Sequence, residues 1–197
     1  MIENEVNIKR YILLYSSMVN RLIAMILLIT FLPSIIFACI YIFIIDGFPV
    51  IYIQKRSGQN NSFFNIYKLR TMKKNTPDVP SDKLTFNPFY FGGKILRKLS
   101  IDELPQLINI IKGEINFIGP RPALHNQTEL ISQRDKLGIS VLKPGITGWA
   151  QVNGRDNISE KQKIEYDYYY LKNKSLKLDT IIIIKTFYRV IAVKDVG

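Results

Sequence analysis

Residues 22–45 read LIAMILLITFLPSIIFACIYIFII, twenty-four positions without a charged side chain. At about 1.5 Å per residue a straight helix of that length measures roughly 36 Å, enough to cross an apolar bilayer core of about 30 Å. The run is too long for a signal-peptide core, and no A-x-A-like cleavage pattern follows it, so a retained membrane segment is expected. Pro33 stands midway. A proline there has no N–H to give, so the carbonyl near Ile29 needs another donor, and Thr30 or Ser34 lies within local reach. Lys9, Arg10 and Arg21 precede the run, and Lys55 and Arg56 follow it after Asp46. Basic flanks mark the cytoplasmic side of a membrane segment, and here both flanks are basic. A helix that enters, breaks at Pro33 and returns satisfies both flanks, whereas a spanning helix satisfies one. The residues alone leave both topologies open.

Beyond Gly47 the composition becomes that of a water-facing domain. VIYIQ (50–54) alternates and is β-branched, and FFNIYKLRTM (63–72) is similar, so the two predict a hairpin closed by the turn-prone RSGQNN. KKNTPDVPSDK (73–83) is a polar loop with two prolines. A helical stretch begins at GGKILRKL (92–99). From Ile101 the apolar positions 104, 107, 108 and 111 keep helical spacing until Lys112-Gly113. GPRP (119–122) dictates a stiff irregular turn, and TELISQRDKLG (128–138) a polar helix. KPGITGWAQVNGR (143–155) is too rich in glycine for a helix and reads as a shaped loop with a short strand. ISEKQKIEYDYYYLKN (158–173) is helical, with Ser159 and Gln162 spaced as a capping box. LDTIIIIKTFYRVIAV (178–193) is too short and too charged to span. It fits an amphipathic helix in the membrane interface, with Lys185 and Arg189 on one face, or equally a buried core helix.

The 197 residues carry a net charge of +11, which calls for an anionic partner: nucleic acid, an anionic membrane surface or a phosphorylated substrate. No helix-turn-helix, RRM-type or zinc pattern supports nucleic acid. A membrane-anchored basic module that binds anionic lipid or nucleic acid is the alternative to an enzyme. The single cysteine, Cys39, lies in the apolar run and reads as a small hydrophobe. The single histidine, His125, has no second histidine or cysteine beside it to complete a zinc site and reads as a loop or helix-edge residue.

Against this basic background LSIDELPQL (99–107) places two neighbouring acids, Asp102 and Glu103. Ser100 and Glu103 have capping-box spacing, and Asp102 would suit the positive end of a helix dipole, which would also favour its ionised form. With Ser100 as the cap, Pro105 falls at the fifth helical position, where its missing N–H begins to cost a bond. A start at Asp102 brings it into the tolerated first turn. Adjacent helical residues project about 100° apart, so the two acids cannot share one job. Read from the residues alone, the cap is the simpler account.

The long runs KILRKLSIDELPQLINIIKGEINFIGPRP (94–122) and KPGITGWAQVNGR (143–155) resemble the bacterial sugar transferase family, the monotopic phosphoglycosyl transferases that begin lipid-linked glycan assembly. The likeness extends from the apolar anchor through RSGQNNSFFNIYKLRTM to KLD (177–179), and the short chain is similar to the minimal members. It implies an α+β fold: a re-entrant membrane helix within residues 1–46, then a compact mixed domain, 47–197, with short strands and interfacial amphipathic helices at the cytosolic face of the bacterial plasma membrane. It implies transfer of a sugar 1-phosphate from a UDP-sugar to polyprenyl (undecaprenyl) phosphate with release of UMP, and favours an N-acetylated amino sugar over glucose or galactose. Partners would be membrane lipids and downstream glycosyltransferases, not nucleic acid. Asp102 matches the nucleophile position and Glu103 the position that holds Mg²⁺ or Mn²⁺. Lys68, Arg97, Arg121, Arg155, Asp167 and Asp179 match further polar positions, with the arginines assigned to phosphate because a planar fork suits phosphate oxygens. One departure is visible: the family carries Ser-Pro at its helix break, and here Leu32-Pro33 precedes Ser34.

Overall fold

The computed structural model describes the backbone of residues 2–77, 85–154 and 158–191, and the side chains of 17–77, 85–154 and 158–189. The expected hairpin forms from β1 (Ile51–Ser57) and β2 (Phe63–Leu69), paired antiparallel with Ile51 opposite Leu69 and Ser57 opposite Phe63. Asn60 and Asn61 turn the connection with φ of 52° and 58°, a left-handed conformation that asparagine tolerates. β2 stops three residues short of the expected Met72. Arg70 still donates its N–H to Val50, but its guanidinium reaches back to the Asp46 carboxylate and to the carbonyls of Asp46 and Gly47. That arginine ties the hairpin to the end of the first helix.

The first helix, α1 (Ile2–Asp46), keeps its helical backbone through Pro33, so the expected break is not an interruption of the helix. Proline removes one hydrogen bond locally while the turns on either side keep theirs. Thr30 does not serve the Ile29 carbonyl either, because its hydroxyl donates to Ile26. What distinguishes α1 is how it docks. Ala24, Leu27 and Leu28 pack with Leu107, Ile110 and Ile115, while Ile35, Ala38, Cys39 and Ile42 pack with Leu69, Tyr90 and Leu96. Two alanines, Ala24 and Ala38, are buried at these contacts, where a small side chain permits close approach. Between them residues 29–34 are all exposed, and Leu22, Ile26, Ile29, Phe37 and Ile44 present a broad apolar surface away from the domain. Both halves of the apolar run therefore rest on one domain, and their outer face is apolar and exposed.

After α2 (Gly93–Lys98) the chain makes a 3₁₀ turn, Ile101–Glu103, before α3 (Gln106–Lys112), which Gly113 closes at φ +80°. Two very short strands, β3 (Asn116–Ile118) and β4 (Gly145–Thr147), pair in parallel and bring GPRP against KPGITG. Glycine is required at that contact. A Cβ on Gly145 would lie 2.1 Å from the Gly119 nitrogen, and one on Gly148 2.1 Å from the Gly119 oxygen. α4 (Thr128–Lys136), α5 (Trp149–Asn153) and α6 (Glu160–Asn173) complete the domain, and Ser159 and Gln162 form the predicted capping box. His125 is exposed in a turn.

The last helix, α7 (Leu176–Ile191), buries Leu178 and Ile182 against Val152 and Tyr170 but exposes Ile183, Ile184, Phe187 and Tyr188. It is amphipathic, as the interfacial reading requires. Lys185 and Arg189 face the protein rather than solvent: Lys185 donates to Asn153 Oδ1 and stacks over Trp149, and Arg189 donates to the Gln151 carbonyl.

Because both halves of α1 rest on one domain, both chain segments flanking the apolar run should lie on one side of the bilayer. In a Cys39→Ala background, Asn4→Cys and Gln59→Cys should respond alike to a membrane-impermeant thiol reagent on intact cells. Labelling of the first alone would establish a spanning helix.

Candidate active site

The chain leaves a cavity of about 230 Å³ between the hairpin, the 3₁₀ turn, GPRP and α5. Among the described residues that line it are nine basic side chains and two acids, Asp102 and Glu103. Such a site neutralises a polyanion. The capping account of the acidic pair does not hold here: Ser100 is left-handed at φ 56° and makes no side-chain cap bond. Pro105 explains why. The α-helix begins only after it, at Gln106, which leaves the acids on a separate tight turn.

Glu103 turns toward cations from two other segments. Its Oε1 accepts from Lys68 Nζ on β2 at 2.8 Å and from Arg121 NH2 of GPRP at 3.1 Å. Asp102 is buried, and its Oδ1 has no hydrogen-bond partner. Their protonation equilibria consequently diverge. Burial, with the negative charge of Glu103 added to it, pushes the Asp102 carboxyl up to about 6, against the pull of Lys68, Arg97 and Arg121. Burial also opposes ionisation of Glu103, but Lys68 and Arg121 outweigh it and hold that carboxyl far below the usual range. The expectation that a helix N-terminus would favour the ionised form of Asp102 is thus corrected, because a three-residue 3₁₀ turn offers little dipole and burial dominates. Lys68 is itself lowered by burial, which Glu103 opposes.

Of the expected residues, Lys68, Arg97, Asp102, Glu103 and Arg121 converge on the cavity. Arg97 reaches it from α2, with its guanidinium 5.7 Å from the centre of the Phe89 ring. Arg155 lies outside the described residues. Asp167 and Asp179 do not line the cavity, and each is engaged by another residue of the protein. Asp167 is sealed under α4 and pairs with Arg134 at 2.5 Å. Burial pushes its carboxyl up, against that arginine. Asp179 accepts from the Tyr170 hydroxyl at 2.7 Å, a tie between α6 and α7.

The sequence reading missed Arg134. Its second nitrogen donates to the Arg121 carbonyl at 2.9 Å, so the Asp167–Arg134 pair holds the GPRP turn that presents Arg121 to Glu103. Its spacing from Leu130 was the available signal, since residues four apart share a helix face and Leu130 is buried. Arg56 was also missed as a site residue. It donates to Gln54 Oε1 and to the Pro122 carbonyl, bracing the other side of the same turn.

For a divalent cation the donor set is a pair of carboxylates rather than a cage, and among the described residues no group of three or more His, Cys, Asp or Glu gathers. That fits Mg²⁺, which commonly binds through one or two carboxylates and takes its remaining ligands from water and substrate phosphates. Glu103 has one oxygen engaged by cations and a second left over, and the unpartnered Oδ1 of Asp102 is adjacent in sequence.

Residues 11–193 match the bacterial sugar transferase family. An uncharacterized sugar transferase, EpsL, of Bacillus subtilis (strain 168) is 40% identical over 148 residues, 74% of this chain and 71% of that protein. The exopolysaccharide production protein ExoY of Sinorhizobium fredii is 34% identical over 182 residues, 84% of this chain and 80% of its own. A UDP-N-acetylgalactosamine-undecaprenyl-phosphate N-acetylgalactosaminephosphotransferase of Aeromonas hydrophila is 37% identical over 175 residues, 84% of this chain but 41% of that longer protein.

If Asp167 acts by holding Arg134, its loss is felt in the fold. Asp167→Asn leaves a buried guanidinium without its counter-charge and should destabilise the protein by about 3–5 kcal/mol, read as a lower thermal midpoint in detergent. An unchanged midpoint with lost turnover would instead place Asp167 in direct contact with substrate.

Proposed function

The chain belongs to the bacterial sugar transferase family, and from that we propose that it moves a sugar 1-phosphate from a UDP-sugar to polyprenyl phosphate and releases UMP. The observation that carries this reading is the divergent acidic pair in a cation-lined cavity. Asp102 is the nucleophile. Its carboxylate oxygen attacks the β-phosphorus, the bond from that phosphorus to the bridging oxygen breaks, and UMP departs with the electron pair. An oxygen of the polyprenyl phosphate then attacks the same phosphorus, and the aspartyl–phosphorus bond breaks to restore the carboxylate. Two displacements at one residue suit two substrates, one soluble and one lipid, that use the cavity in turn. The undecaprenyl-phosphate specificity in the name of the Aeromonas relative supports the lipid acceptor.

The cations make anionic attack on an anionic diphosphate feasible. Lys68 and Arg121 are already in place on Glu103, and Arg97 contributes positive charge near Asp102. Mg²⁺, held by Glu103 with Mn²⁺ as a substitute, supplies further charge neutralisation when bound. The exposed apolar faces of α1 and α7 support a monotopic seating on one leaflet, with α1 lying along it unbroken rather than re-entering at Pro33, on the cytosolic face where nucleotide sugars are available, with product passing to later glycosyltransferases. The relative named for N-acetylgalactosamine supports an N-acetylated amino sugar as donor. Excess EDTA should abolish turnover and Mg²⁺ restore it.

Asp102→Asn keeps size and an acceptor oxygen but cannot form an acyl phosphate. Turnover should fall by several orders of magnitude while thermal unfolding stays within about 1 kcal/mol of wild type, because Asp102 Oδ1 has no hydrogen-bond partner to lose. With labelled UDP-sugar and no acceptor, wild type should keep hydroxylamine-labile label and release one UMP per site, and the variant neither. Wild-type kcat/KM should also fall about tenfold per pH unit below about 6, because the protonated Asp102 cannot attack. Near-normal turnover by the variant would remove the nucleophile role.

A further inference from the structure

Asn109 is completely buried in α3, seven residues beyond Asp102. Its Oδ1 accepts from the backbone N–H of Tyr67 at 3.1 Å, and its Nδ2 donates to the Asn65 carbonyl at 2.7 Å and to Glu114 Oε2 at 2.6 Å. The orientation of the amide is fixed by its partners: a carboxylate and a carbonyl can only accept, and a backbone N–H can only donate. Burying an amide is costly unless it is fully bonded, and here both donors and the oxygen are used.

The two backbone partners lie on β2. Arg70 donates to Val50, so positions 66 and 68 direct their main-chain groups to β1, and positions 65 and 67 direct theirs outward. On that outer edge Asn109 accepts from residue 67 and donates to residue 65, as the backbone of a neighbouring strand residue would. One side chain on a helix thus closes the edge of a two-stranded sheet. Lys68 is the next residue along β2, and Glu103 belongs to the turn that leads into α3. The height of β2 along α3 therefore sets whether Lys68 Nζ meets Glu103.

We infer that Asn109 is a positioning residue: its amide stands in for a third strand, fixes β2 against α3, and thereby holds Lys68 on Glu103. The inference rests on the reading of Asp102 and Glu103 as the reacting pair.

The test uses the full chain in detergent or nanodiscs, with Asn109→Leu, which keeps a branched side chain without hydrogen-bonding groups, and Ile110→Val, a core trim on the same helix, as control. Asn109→Leu should lower kcat about 10²-fold, the scale of a misplacement near 1 Å, with a much smaller change in the KM for donor. Ile110→Val should stay within about twofold at equal fractional folding. In a Glu103→Gln background, where the positioned pair is already gone, Asn109→Leu should cost less than about threefold. Full additivity of the two substitutions would overturn the inference. Hydrogen exchange across residues 63–69 separates it from the reading beneath it. Faster exchange in Asn109→Leu but not in Ile110→Val supports the surrogate-strand contact, and unchanged exchange overturns it whatever the chemistry. Normal turnover by Glu103→Gln would instead sink the reacting-pair reading. Should Asn109→Leu fail to fold, Asn109→Ser carries the same comparisons.

Discussion

One oxygen atom joins the parts of this protein that matter most. Glu103 Oε1 receives Lys68 from the hairpin and Arg121 from the GPRP turn, segments that lie 35 and 18 residues away in sequence. Each of the three groups is poorly placed without the other two. A half-buried lysine without an anion loses its charge readily, and a buried glutamate without cations picks up a proton. Together they stay charged, and the cavity forms around them. Around this point stand supports that never face the cavity's centre, including Asp167 beneath Arg134 and Gly145 beneath Gly119.

The neighbour relation between Asp102 and Glu103 divides labour through environment rather than chemistry. The two carboxyls differ by one methylene, yet one is surrounded by donors and the other is sealed with an oxygen unpartnered. Charge already fixed on Glu103 raises the cost of a second charge beside it. The second acid is thereby kept less well solvated than a surface aspartate, which suits the nucleophile role proposed for it.

Local patterns in the sequence were legible where the physics is local. Alternation gave the hairpin and the S-x-x-Q spacing gave the cap of α6, while glycine density gave the shaped loop around β4 but wrongly excluded a helix, since WAQVN between Gly148 and Gly154 forms α5. The acidic pair was visible because it is anomalous in so basic a chain, and the long motifs supplied its basic companions. What stayed hidden depends on contacts distant in sequence. Nothing around Asn109 separates it from the apolar positions it neighbours, and Asp167 looks like any acid in a polar helix until Arg134 is brought beneath it. The Ser100 cap failed for a reason present in the letters, since Pro105 postpones the helix, but whether the acids join that helix or precede it is decided by what they find to bind. Lys185 and Arg189 were correctly paired on one face, but a face has no direction until α5 supplies partners.

The seating of α1 has a bearing on how the molecule comes into being. Ala24 and Ile42, eighteen positions apart, are each fully enclosed by residues of the following domain, so the membrane segment supplies part of that domain's core. Without α1 in place, Leu107, Ile110 and Leu69 would lose part of their cover. Docking of that segment and completion of the domain's core are then a single event. The architecture therefore couples the apolar run to the packing of the domain that carries the acidic pair.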